Sequence, residues 1–292
     1  MTDEEWLAHR FEEHRPRLRS VAYRMLGSLT EADDALQDAW LRVSRAGADE
    51  VDNLRGWLTT IVARVSLNML RSRNRRREEL FGDHLPDPVV SPYGDVQPEE
   101  EALLADSVGL ALLVVLDTLS PAERLAFVLH DMFELPFDEI APMVGRSEEA
   151  TRQLASRARR RVKGAEVPAP EPDLDRQREV VDAFFRAARG GEVDRLVAVL
   201  HPDVVLREDV SVKRPIRVFR GAATVASRAR AGSFPGAEVR PALVNGAAGA
   251  VVVLRGKPFA VLGFTVHGDR IVEIDAIVGA ERVARVASAV LN

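Results

Sequence analysis

Two proline-rich breaks constrain how this chain can fold. The first, between 80 and 98, contains the run FGDHLPDPVVSPYGDVQP, with four prolines and two glycines and neither a helical nor a strand period. The second, 164–173, carries Val167-Pro-Ala-Pro-Glu-Pro172. Proline removes a backbone donor and biases the residue before it away from helix, so each break reads as an extended linker. Three pieces remain, 3–79, 99–163 and 174–292, and each is long enough to bury a core.

The first piece reads as helices only. Phe11, Leu18, Val21, Ala22, Met25 and Leu26 form one stripe at helical spacing, and Gly27 is a natural stop. Thr30-Glu31-Ala32-Asp33 has the form of a capping box, which starts the second helix near Asp33. That helix turns Leu36, Ala39, Trp40 and Val43 inward and leaves Asp34, Gln37, Asp38 and Arg42 on other faces. After a polar loop, 47–52, a long helix follows. Its stripe is Leu54, Trp57, Leu58, Ile61, Val62, Val65 and Met69, and its far end delivers Arg71, Arg73, Arg75, Arg76 and Arg77. Planar, permanently charged guanidinium groups suit phosphate oxygens, although arginines also favour the negative end of any solvated helix. Trp57 lies on the stripe, which favours core packing for it.

The second piece is also helical. Ser120-Pro121-Ala122-Glu123 combines an N-cap hydroxyl, proline at the first helical position and glutamate three after the cap. A short helix from Asp138 to Val144 contains Pro142, expected to bend or shorten it. Gly145-Arg146 makes a turn, and Ser147 caps a helix whose inward residues read as Ala150, Leu154, Ala158 and Val162. Ser147, Glu148, Thr151 and Arg152 then point outward, followed by Arg157, Arg159, Arg160, Arg161 and Lys163. Helix, glycine turn and basic helix is the outline of a DNA-reading helix-turn-helix. Alone it also fits an ordinary basic hairpin, though less well, and two basic helices joined by an extended linker favour a polyanion further.

Charge sharpens this reading. The net charge of −5 divides into −10 over 1–173 (22 basic, 32 acidic) and +5 over 174–292 (18 basic, 13 acidic). Within the acidic part, positive charge gathers at Arg71–Arg77 and Arg152–Lys163, so local field and total charge disagree. Such a chain is expected to bind DNA poorly alone and to be presented by a larger partner. The absence of cysteine excludes disulfides and thiolate metal sites. The polar amino terminus and the lack of a long apolar run predict a cytoplasmic protein without a membrane span.

The third piece changes character. Two short amphipathic helices over 175–200 precede strands at Glu238–Val244, Ala248–Leu254, Pro258–Val266 and Arg270–Val278, separated by Asn-Gly, Arg-Gly and His-Gly-Asp turns. A helix from Ala280 to Leu291 closes the chain. The pattern predicts an α+β domain with a curved antiparallel sheet.

At this point the residues resemble a family, the extracytoplasmic-function sigma factors of bacterial RNA polymerase. Asp33-Asp34-Ala35-Leu36-Gln37-Asp38-Ala39-Trp40-Leu41-Arg42 is similar to that family's polymerase-clamp helix, and Leu54-Arg55-Gly56-Trp57-Leu58 with the following arginines resembles its promoter-melting helix. Asp138-Glu139-Ile140-Ala141, Gly145 and Ala150-Thr151-Arg152-Gln153-Leu154 resemble its second DNA-binding module. The resemblance implies a multidomain protein: region 2 over 3–79, a linker over 80–98, region 4 over 99–163, a proline-rich linker over 164–173 and a SnoaL-like cone domain over 174–292. It implies core polymerase as partner through Asp34, Gln37, Asp38 and Arg42. It also implies promoter DNA at the minus-ten element through Asp52, Asn53 and Arg71–Arg77, and at the minus-thirty-five element through Ser147, Glu148, Thr151, Arg152, Arg157 and Arg159.

The carboxy-terminal domain looks like that of the SigJ-type group, in which such an extension is thought to act as a built-in regulator. The sequence departs from the group's marks: Asp209-Val210-Ser211-Val212-Lys213 stands where a glycine-rich loop is expected, and Val278-Gly-Ala-Glu-Arg282 where Asn-Pro-Asp-Lys-Leu is expected. Opposite net charges predict that this domain docks on the sigma modules. His201, Asp203, Glu208, Asp209, His267 and Asp275 could supply an acid or base, yet no pairing is visible, so no enzyme, metal or cofactor is expected. A small-molecule ligand in an apolar pocket remains open. The alternative to a sigma factor is a self-standing helix-turn-helix regulator that senses a small molecule.

Overall fold

The computed structural model describes residues 3–46, 51–79, 84–93, 109–165, 171–211, 214–232 and 234–291, with the side chains of 3, 4 and 76–79 left aside. The chain divides into two bodies, one of 1–79 with 112–166 and one of 80–111 with 167–292.

In the first body, α1 (Asp3–Leu26), α2 (Leu29–Ala46) and α3 (Leu54–Glu79) pack together. Their core is Phe11, Leu18, Val21, Met25, Leu36, Val43, Leu58, Val62 and Val65, all buried. Trp40 rests on Phe11 with ring centroids 5.3 Å apart. Helix α2 starts at Leu29, one residue before the expected cap and four before the expected start near Asp33, so Thr30 lies inside the helix; Ala32 N already bonds to Ser28 O at 2.9 Å. Trp57 is half-buried, short of full enclosure.

The same body continues, from residue 112 onward, with α4 (Leu110–Asp117), α5 (Pro121–Phe127), a π-helical turn at Val128–Met132, α6 (Phe137–Val144) and α7 (Glu148–Gly164). The capping box at α5 is present in both directions: Ser120 N donates to Glu123 Oε2 at 3.1 Å, and Glu123 N to Ser120 Oγ at 3.4 Å. Pro142 sits within the two-turn α6. Gly145 takes φ 68°, the left-handed conformation that lets the chain reverse into α7.

The second body is built on a seven-stranded sheet in the order β1-β4-β5-β6-β7-β2-β3. Its strands are β1 (Val90–Pro92), β2 (Leu200–Asp209), β3 (Arg217–Arg220), β4 (Ala237–Val244), β5 (Ala247–Leu254), β6 (Lys257–His267) and β7 (Arg270–Val278). The hairpins from β4 to β7 are antiparallel as expected. Asn245-Gly246 and Arg255-Gly256 have positive φ at both central positions, which matches hairpin turns to strand twist. One pair departs from the antiparallel pattern: β2 pairs with β7 in parallel.

Helices α8 (Leu174–Gly190), α9 (Val193–Val199) and α10 (Ala222–Ala231) cover one face, with Phe184, Leu196, Leu206, Val225, Phe264 and Ile274 in the core. On the other face, Val283 of α11 (Ala280–Val286) and Ala287 pack with Val244, Val251 and Val261, and partly buried Leu291 of α12 (Ser288–Leu291) adds to them. Val90 and Leu110 join that second core. Within the segment read as an extended linker, residues 84–93 lie in this body: β1 pairs with β4, Val90 opposite Val244 and Pro92 opposite Ala242.

Candidate nucleic-acid interface

Helix α2 presents Asp34, Gln37, Asp38 and Arg42 on its solvent face, all exposed. Leu41 on the same side is 45% exposed, unusual for a leucine with a core nearby. A groove between α1 and α2 is lined by Phe11, Arg15, Asp33, Asp34, Gln37 and Trp40.

Asp52 and Asn53 are exposed ahead of α3. Asn53 Oδ1 accepts Gly56 N at 3.0 Å, so its amide serves as a helix cap. Arg71 and Arg75 are exposed, while the side chains of Arg76 and Arg77 lie outside the described residues. Arg73 departs from the outward reading. Its guanidinium is held inside the first body by Leu26 O at 2.6 Å, Glu31 Oε2 at 2.8 Å and Asp117 Oδ1 at 3.3 Å.

Helix α7 is capped by Ser147, whose Oγ accepts Ala150 N at 3.2 Å. Ser147, Glu148 and Arg152 are exposed as expected. Thr151 is the correction here: it is fully buried, because the inward stripe is Thr151, Leu154, Ala155 and Ala158. Its hydroxyl donates to Ser147 O at 2.9 Å, which removes the penalty for burying a polar group. Arg152 is bound by Glu148 at 2.6 Å and Glu149 at 3.2 Å and lies over the Phe137 ring. Arg157 and Arg161 flank Glu123 at 3.2 and 2.8 Å, and Arg159 meets Asp131 at 2.5 Å. Burial pushes the Glu123 carboxyl up, but hydrogen bonds from Ser120 and Arg157 outweigh it and hold the group below the usual range.

The two helical modules are tied by residues that sequence reasoning missed. Arg124, 1% exposed, donates to Arg24 O at 2.9 Å and to Asp117 Oδ1 at 2.7 Å. Arg17 donates to Phe133 O at 3.2 Å, and both Arg17 and Arg24 stack on the Phe133 ring. Burial lowers the Arg24 pKa to about 10. Such arginines carry no local signal, since each partner is distant in sequence.

In the second body, Asp209 organises the captured segment. Its Oδ2 accepts Leu85 N at 3.0 Å and Arg282 Nη1 at 2.6 Å. Arg282 also donates to Asp87 Oδ1 at 2.6 Å and to Leu85 O. Asn245 closes the arrangement: its Oδ1 accepts Val89 N at 2.7 Å, and its own backbone N donates to Val89 O at 2.8 Å. Asp209 and Arg282 stand in the two stretches that depart from the SigJ-type pattern.

Of the six residues weighed as acid or base, only Glu208 lines the cavity beneath α8 and α10. Alternation along β2 turns Asp209 to the opposite face. Asp275 is buried and bound by Arg207 at 3.2 Å; burial pushes its pKa up to about 6 despite that arginine. His201 accepts Asp203 N locally, and Asp203 and His267 are exposed. Among the described residues no three metal-ligating side chains converge, and no helix is long and apolar enough to cross a membrane.

The arrangement defines a two-module helical DNA-binding transcription factor with an appended α+β domain. Residues 10–76 match sigma-70 region 2 and residues 109–162 match sigma-70 region 4. The chain is 42% identical over 214 residues to the ECF RNA polymerase sigma factor SigJ of Mycobacterium tuberculosis, covering 72% of this chain and 68% of that one. It is 40% identical over 195 residues to the probable ECF RNA polymerase sigma factor SigI of the same species, covering 65% and 66%. The crystal structure of Mycobacterium tuberculosis SigJ superposes with a TM-score of 0.74 at 34% identity, over 96% of this chain and 99% of that one. The chain belongs to the extracytoplasmic-function sigma factors of RNA polymerase, proteins of promoter-specific transcription initiation.

Proposed function

We propose that the chain recruits core RNA polymerase to its promoters and that its SnoaL-like domain restrains it by holding the segment between regions 2 and 4. The observation that carries this reading is the capture of 84–92 by Asp209, Arg282, Asn245 and β4. A connecting segment fixed in a sheet cannot lengthen to let two DNA-binding modules reach separate promoter elements. The ties from Arg124 and Arg17 between the modules support a closed resting state. Polymerase contact is assigned to the exposed face of α2, and DNA contact to the exposed residues before and at the end of α3 and at the start of α7. Arg73 and Thr151 are excluded from these contacts. The domain is assigned a regulatory role because it holds this segment.

The test is promoter-dependent transcription with core polymerase, comparing the full chain with Asp87→Ala and Arg282→Ala. Transcription that requires the added protein and rises in the variants, at unchanged affinity for core polymerase, supports the reading. Equal rates in all three would end the restraint model. DNA binding with no affinity for core polymerase would favour a self-standing regulator.

A further inference from the structure

The face of the sheet opposite the captured segment encloses a cavity of about 580 Å³, within the range of pockets that hold drug-sized molecules. Its walls are apolar, including Phe184, Leu206, Val225, Val252 and Ile274. Phe234, 41% exposed, lines it and packs edge-on against Phe259 at 5.4 Å.

Into this apolar space the chain places charge. Glu208, 6% exposed, is gripped by Arg228 through Nε at 2.8 Å and Nη2 at 3.1 Å, on both carboxylate oxygens. That bidentate pair already neutralises the buried acid. Arg217 adds a second cation, with Nη2 at 2.7 Å from Glu208 Oε2, and Arg189 also lines the cavity. Three arginines against one glutamate leave the lining positive. A guanidinium carries five N–H donors, and the bonds to Glu208 engage one nitrogen of Arg217 and two of Arg228. Donors therefore remain for an incoming oxyanion.

We infer that this cavity is a binding site for an amphipathic organic anion: an aliphatic or aromatic body against the phenylalanine and valine walls, and a carboxylate or sulfonate on Arg217 beside the Arg228–Glu208 pair. An inorganic anion would leave the apolar volume unfilled, and a neutral hydrocarbon would leave the surplus cation without a partner. Arg217, with 49% of its side chain exposed, can turn toward a ligand without unmaking the buried pair.

Two dyes with the same ring framework separate these cases: 1-anilinonaphthalene-8-sulfonate and its neutral counterpart N-phenyl-1-naphthylamine, titrated by fluorescence into the full chain. The expected result is saturable one-to-one binding of the sulfonate, at least tenfold tighter than the neutral dye and displaced by decanoate. Arg217→Gln should weaken the sulfonate about fivefold or more and leave the neutral dye unchanged. Ala229→Phe, which intrudes on the helical wall, should weaken both while circular dichroism shows the native fold. Equal affinity for the two dyes, no saturation, or full sulfonate binding by Arg217→Gln would overturn the assignment. These titrations use neither polymerase nor promoter, so their failure leaves the restraint reading standing, and failure of that reading leaves the cavity assignment standing.

Discussion

Arg282 Nη1 donates to Asp209 Oδ2 at 2.6 Å across 73 residues of chain, and both side chains are largely shielded, Asp209 completely. The pair anchors the captured segment, because the same carboxylate takes the Leu85 amide and the same guanidinium takes Asp87.

Arg282→Ala leaves the Asp209 carboxylate buried without its cation. Breaking one side of a buried pair typically costs about 3 kcal/mol. The loss is expected locally, as faster hydrogen exchange at the Leu85 and Val89 amides, while amides of β5 and β6 stay protected.

Arg73 and Arg71 should separate structure from binding. Arg73→Ala removes bonds to Leu26 O, Glu31 and Asp117 and should cost about 2 kcal/mol of stability, read by denaturant unfolding. Arg71→Ala, on an exposed position, should change stability by no more than about 0.5 kcal/mol. It should lower the salt slope of promoter binding by about one in log units, measured as holoenzyme.

Thr151→Val tests the buried face of α7. It loses the bond to Ser147 O, at about 1 kcal/mol, and leaves minus-thirty-five recognition unchanged in a holoenzyme footprint. Glu148→Ala and Arg152→Ala, on the exposed face, should alter that footprint.

The Asp275 carboxyl gives the stability a pH dependence with a definite sign. Its folded pKa of about 6 lies above the ordinary carboxyl value of 3.8, so between those values the folded state binds the proton that the unfolded state has released. Its contribution is complete below about pH 4 and is lost as pH rises through 6. Asp275→Asn should flatten this part of the melting profile and leave the protein no less stable at pH 7.

The helices and hairpins were legible because their signals are local. Ser120 and Glu123 sit three residues apart and cap each other, and Asn245-Gly246 announces its turn by residue type alone. Thr151 misled for the opposite reason: a polar residue satisfied by a carbonyl four positions back is indistinguishable in sequence from an outward one. Arg73 is one arginine in a run of five, and only its distant partners Glu31 and Asp117 set it apart. The captured segment was illegible as a strand, since three residues beside prolines show no alternation, and the Arg282–Asp87 contact spans 195 positions. Asp209 and Arg282 stand in the stretches that depart from the SigJ-type pattern, so no family motif pointed to them as the residues that hold the segment.

Among the described residues, β1 lies at an outer edge of the sheet, paired on one side only, with β4. Lifting it would bare the main-chain groups of β4, and an open edge is a template for a strand from any other chain. On the proposed restraint, release would therefore exchange a three-residue edge for one of eight residues, and with it a greater self-association hazard. A partner that frees the segment would do best to occupy it at once, so that activation is handed over rather than left exposed in solution.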